Sequence, residues 1–61
     1  MAFDPDEIVM LYGQGTMTLR TAVERVMAQK PKDPLYATIF RDDEPSILDF
    51  DQIEKIAAKW G

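Results

Sequence analysis

Cysteine and histidine are both missing from this chain of 61 residues, and together the two absences remove most of the usual catalytic chemistry. Without cysteine there is no disulfide and no thiolate nucleophile; without histidine the commonest general base is gone. A zinc site would have to be built from carboxylates alone, a poor structural set. No apolar run approaches the roughly 20 residues that cross a bilayer. The opening Met1-Ala2-Phe3-Asp4-Pro5-Asp6-Glu7 is acidic where a signal peptide is basic. The expectation is a cytoplasmic protein with no membrane segment, no metal and no cofactor. Internal repeats, linkers and low-complexity stretches are missing too, so a single domain over residues 1–61 is expected.

A chain this short buries only roughly 60% of the surface that its unfolded form exposes, which leaves a marginal core. Small domains compensate with disulfides, a structural metal or a partner subunit. With the first two disfavoured, self-association is the device left. The composition, 46% hydrophobic and 30% charged, is that of a globular protein rather than a disordered one. The net charge of −4 is unevenly spread. Residues 1–18 carry Asp4, Asp6 and Glu7 with no base. Residues 19–32 set Arg20, Arg25, Lys30 and Lys32 against Glu24, and residues 33–54 set seven acids against Arg41. Such a field repels nucleic acid and anionic membranes overall, while leaving room for a local basic patch.

The local signals predict an α+β domain in the order α-α-β-β-α. Asp4 as cap, Pro5 at the first helical position, Glu7 closing a capping box and Phe3 stapled to Ile8 predict a first helix running to about Tyr12, ended by Gly13. The rival reading is a strand, because Ile8-Val9-Met10-Leu11-Tyr12 is apolar without a break. The agreement of these start and stop signals favours the helix, and a helix apolar nearly all round leaves one face for a partner. Gly13–Met17 reads as a loop. Thr18 caps a second helix of about residues 19–29, whose Leu19, Ala22, Val23, Val26 and Met27 share one face, and Lys30-Pro31 stops it.

Leu35–Phe40, rich in aromatic and β-branched residues, reads as a strand. Asp42-Asp43-Glu44-Pro45 is a turn, and Ser46-Ile47-Leu48 a short returning strand of the same hairpin. Asp49 caps a third helix of about residues 50–60, with Gln52 completing the capping box and Leu48 stapled to Ile53. Phe50, Ile53, Ile56, Ala57 and Trp60 lie on its apolar face. Asp51 and Lys55 form an i, i+4 pair worth a few tenths of a kcal/mol.

Among motifs that carry chemistry, each candidate is incomplete. Ser46 has no neighbouring base. Asp49 and Asp51 are better explained as a helix cap and a surface ion-pair partner. The acids from Asp42 onward fail the EF-hand pattern at its glycine, where Ile47 stands. Gly13-Gln14-Gly15 precedes a helix without the lysine of a phosphate loop. Catalysis is therefore not expected. The expected function is a small acidic protein-interaction domain, self-associating as a homodimer. Its contacts are Met10 and Tyr12 on the first helix with Tyr36 and Phe40 on the hairpin, and Asp42, Asp43 and Glu44 steer a basic partner. The alternative is a regulator of nucleic-acid transactions. It would be either a small DNA-binding regulator or antitoxin using Arg20 and Arg25, or an acidic inhibitor imitating phosphates. Direct nucleic-acid binding is disfavoured by the acidic chain and by the lack of aromatics among its bases.

Overall fold

A computed structural model of the chain describes residues 3–60; Met1, Ala2 and Gly61, the ends of the expected domain, lie outside them. The elements are β1 (Ile8–Leu11), β2 (Gly15–Thr18), α1 (Leu19–Gln29), β3 (Ile39–Phe40), β4 (Ile47–Leu48) and α2 (Phe50–Trp60). A short 3-10 turn, Pro34–Ala37, stands between α1 and β3. The four strands form one antiparallel sheet in the order β2-β1-β3-β4. The result is a small α+β domain, ββαββα, and the helix-first order α-α-β-β-α is overturned.

The correction begins at residues 4–12. No helix forms there; Ile8–Leu11 is β1, and Gly15–Thr18, of which Gly15–Met17 is expected as loop and Thr18 as a helix cap, is its partner β2. The start signals are real but serve a turn. Asp4 Oδ1 accepts from the Asp6 amide at 2.9 Å, and the Glu7 amide donates to the Asp4 carbonyl at 3.2 Å. This turn covers the start of α1: the Leu19 amide donates to the Glu7 carbonyl at 2.8 Å and the Arg20 amide to the Pro5 carbonyl at 3.0 Å. Two donors that a helix leaves without intrahelical partners are thereby satisfied. The physical reason for strand over helix is burial. A helix over residues 5–12 would present apolar residues on every side of a surface element. As a strand, the same run puts Val9 and Leu11 into the core and leaves Ile8 and Met10 outside.

Gly13 does take a left-handed conformation, φ +80°, but in a hairpin rather than at a helix end. The Gln14 amide donates to the Leu11 carbonyl at 2.9 Å, closing a four-residue turn whose third position requires positive φ. A side chain at Gly13 would also collide with Tyr36, since a Cβ there would stand 2.9 Å from its Cε1.

A second correction concerns Leu35–Phe40. Only Ile39–Phe40 is strand. Asp33 caps the preceding turn through its Oδ1, which accepts from the Leu35 amide at 3.0 Å, and Pro34 opens it. An Asp-Pro pair is a cap followed by a first helical residue, a local preference that overrides the strand tendency of Leu35 and Tyr36.

The two remaining helices form where their signals place them. Thr18 Oγ1 accepts from the Thr21 amide at 3.3 Å, and Lys30 ends α1 in a left-handed conformation just before Pro31. Asp49 Oδ1 accepts from the Gln52 amide at 3.0 Å at the start of α2. The Asp51–Lys55 pair is long, 3.9 Å, and fully in solvent, so its contribution is near zero.

Both helices pack on one side of the sheet. The row Leu11–Ile39–Leu48, aligned across β1, β3 and β4, is wholly buried beneath Leu19, Ala22, Val23 and Val26 of α1 and Ile53 and Ile56 of α2. Among the described residues, no polar or charged residue is buried in this core.

Candidate interaction surface

Side chains alternate across a strand, so every residue paired beside the buried row belongs to the opposite face. The register defines that face. Thr16 on β2 pairs with Met10 on β1, Met10 with Phe40 on β3, and Phe40 with Ile47 on β4. A second pair, Ile8 and Thr18, lies beside it. Among the described residues, no helix covers this side. Ile8 is 62% exposed, Ile47 54% and Met10 43%, while Phe40 is half-buried. None of these six strand positions carries a charge, in a chain of which 30% is charged.

The residues expected to make contacts divide into three groups. Met10 and Phe40, expected on a helix and a hairpin, are direct cross-strand partners at the middle of the open face. Tyr12 and Tyr36 meet edge to face, ring centroids 5.2 Å apart, at one end of the sheet. There the Tyr12 amide donates to the Thr38 carbonyl at 3.2 Å and extends the β1–β3 pairing by one residue. Asp42, Asp43 and Glu44 are exposed in the β3–β4 loop, at the opposite end of the sheet. Ile8 and Ile47 belong to the face and were missed. Ile8 reads in the sequence as a helix staple, and Ser46-Ile47-Leu48 is too short a strand to show which side Ile47 faces. The alternation of Ile8-Val9-Met10-Leu11 would have found the first.

A guanidinium–carboxylate clamp holds the acidic end. Arg41 Nη2 donates to Glu7 Oε1 at 2.8 Å and Arg41 Nε to Glu7 Oε2 at 3.1 Å. Arg41 Nη1 donates to the Pro45 carbonyl at 3.2 Å, and the guanidinium carbon lies 4.9 Å from the centroid of the Phe3 ring. Glu7 and Phe3, expected to cap and staple a first helix, have this different use. The clamp ties the segment before β1 to the β3–β4 loop, and so fixes the central strands beneath the open face.

The basic residues of α1 and of the segment after it have different neighbours. Arg25 Nη1 donates to Gln14 Oε1 at 3.0 Å, and Gln14 Nε2 to Gln29 Oε1 at 2.9 Å. Arg20 lines an open groove of about 610 Å³ between α1 and α2, with Val23, Glu24, Met27, Ala57, Lys59 and Trp60. Lys30 and Lys32 line a separate depression with Pro31, Pro34, Ala37 and Phe50. Among the described residues, no three carboxylates gather where a metal ion would sit, and no helix is long and apolar enough to cross a membrane.

No family model, curated protein or solved structure matches the chain. What the open face offers chemically is the burial of apolar area. Fully burying a side chain such as Ile or Met contributes about 1.5–3 kcal/mol, so covering Ile8, Met10 and Ile47 from their present exposure contributes about 1 kcal/mol each.

Proposed function

We propose that the chain is a small, non-catalytic protein-interaction domain of the cytoplasm that docks through the helix-free face of its sheet. One observation carries this reading. The register aligns Met10, Phe40 and Ile47 in an uncharged apolar row across three strands, with Ile8 beside it, on the side that neither helix covers. A 61-residue chain has little apolar material to spare, and here a substantial share of it is turned away from the core. Contiguous exposed apolar surface marks a site of association. Asp42, Asp43 and Glu44 at one end of the face form a negative rim that affects the rate of encounter more than affinity. Direct nucleic-acid binding draws less support from the arrangement: Arg25 is hydrogen-bonded to Gln14, Arg20 lines the α1–α2 groove, and Lys30 and Lys32 line a separate depression.

The test is capture from a lysate of the source cells by the immobilised chain, beside a Met10→Lys/Ile47→Lys variant. Both substitutions sit at exposed positions, so the fold persists, as far-UV circular dichroism would verify. The expected result is a protein partner, or the chain itself, retained at high salt by the wild type and lost by the variant. Identical capture by both chains, or capture of nucleic acid alone, refutes docking through this face.

A further inference from the structure

We infer that the occupant of the open face is a second copy of this chain, packed sheet to sheet about a twofold axis near Met10 and Phe40. The inference rests on the docking reading above and names its partner. Three observations point to self-pairing.

The first is charge. A face made of Ile8, Met10, Thr16, Thr18, Phe40 and Ile47 offers no ionic group by which to select a charged partner. In a twofold contact each patch meets itself, so a surface with no charge at its middle meets no like charge there. The acids Asp42, Asp43 and Glu44 stand in the β3–β4 loop, at one end of the face rather than at its middle.

The second is area. A specific interface needs about 500 Å² from each partner, an eighth of the 4183 Å² surface of the described chain. The face runs across all four strands, and on it Ile8, Met10 and Ile47 are 62%, 43% and 54% exposed. Reaching that area takes the whole face rather than one strand, and two sheets packed this way stand about 10 Å apart.

The third is the size of the core. The buried set is confined to one side of the sheet, and a chain of this length with neither disulfide nor metal gains the most from a second apolar layer.

Self-pairing carries an ionic signature. Each copy bears a net charge of −4, so two copies repel at long range while the contact itself is apolar. Added salt screens the repulsion and strengthens the dimer. A basic partner drawn by the acidic loop would respond in the opposite direction.

Sedimentation equilibrium of the full chain, up to about 1 mM protein and in about 50 mM and 500 mM salt, tests the inference with Met10→Lys and Ile47→Lys as variants. The expected result is a monomer–dimer equilibrium that tightens at high salt. Each lysine should weaken it by at least about thirtyfold, the loss typical of a residue central to an interface. A wild-type chain that stays monomeric throughout overturns the inference. So does a dimer that the lysines leave intact, or one that weakens as salt rises. Failure of self-pairing is distinguishable from failure of the docking reading. A monomeric chain that still captures another protein, and loses it on Met10→Lys/Ile47→Lys, keeps the docking face and removes only the second copy.

Discussion

Arg41 and Glu7, 34 residues apart in the sequence, are joined by a two-point ion pair of 2.8 and 3.1 Å, with the arginine side chain 7% exposed and the glutamate 19%. The fork geometry is specific to guanidinium, which presents two parallel donors to the two carboxylate oxygens. Removing the acid strands a nearly buried cation. Glu7→Ala should therefore cost about 2–3 kcal/mol, somewhat less than the ~3–5 kcal/mol for breaking a fully buried pair, because Glu7 keeps some solvent. Arg41→Lys keeps the charge and loses the fork, and should cost about half as much. Chemical denaturation of the two variants checks the order. Equal stability of all three chains would mean that the clamp contributes nothing.

The contact between Gly13 and Tyr36 yields a second prediction. Both Gly13 and Gly15 have positive φ, +80° and +98°, so alanine at either position costs roughly 1–2 kcal/mol of backbone strain. Only at Gly13 does the added methyl meet an obstacle, the Tyr36 ring at 2.9 and 3.1 Å; nothing stands within 4 Å of Gly15. Gly13→Ala should be the more destabilising of the two. Tyr36→Ala should recover part of the difference in the Gly13→Ala background and none in Gly15→Ala. A double-mutant cycle in denaturant reads this coupling directly.

These contacts also explain which parts of the fold were legible in the sequence. α1 and α2 were, because cap, apolar periodicity and stop all lie within one element: Thr18 to Pro31 for the first, Asp49 to Trp60 for the second. The β3–β4 turn was legible for the same reason. The segment 4–12 was not. Asp4, Pro5 and Glu7 satisfy a helix cap and a tight turn equally well, and a five-residue apolar run fits either period. What decides between them is pairing with β2 and β3 and the reach of Arg41 back to Glu7, none of which is local. β2 itself, Gly15-Thr16-Met17-Thr18, has little strand character apart from its threonines and exists because β1 lies beside it.

The candidate surface was half legible. A spare apolar face on residues 8–12 was expected, and one exists, but strand alternation rather than helix periodicity selects its members. Met10 therefore stands with Ile8 and faces Phe40, whereas Tyr12 turns up beside Tyr36 at the end of the sheet.

Cap substitutions separate the roles of three similar residues. Thr18 and Asp49 each accept an amide hydrogen at a helix start, and alanine at either should cost about 1 kcal/mol. Asp4 accepts an amide hydrogen within an exposed turn and starts no helix. Asp4→Ala should therefore cost only a few tenths of a kcal/mol, as a surface substitution does. A loss at Asp4 equal to that at Asp49 would mean that this turn supports the start of α1 as strongly as a cap does.

Leu11 and Met10 are adjacent in β1 and belong to opposite faces, which makes them the sharpest pair for testing the sheet. Leu11 is wholly buried between α1 and β3; Met10 is 43% exposed. Leu11→Ala removes buried methyl groups and leaves a cavity, at a cost of about 2–5 kcal/mol. A domain of this length has only about 3–9 kcal/mol of stability in all, so that variant should lose a large fraction of it. Met10→Ala at micromolar concentration should cost less than about 1 kcal/mol, since the side chain already stands in water. Concentration then separates the two faces. If a second copy covers Met10, the penalty of Met10→Ala grows as the protein is concentrated, because the wild type gains stability from association and the variant gains less. The penalty of Leu11→Ala reflects the core and is large in the most dilute sample. Thermal melts of the three chains over a hundredfold range of concentration therefore report both the strand alternation and the fate of the open face. Equal penalties at Leu11 and Met10 under dilution would contradict the alternation itself.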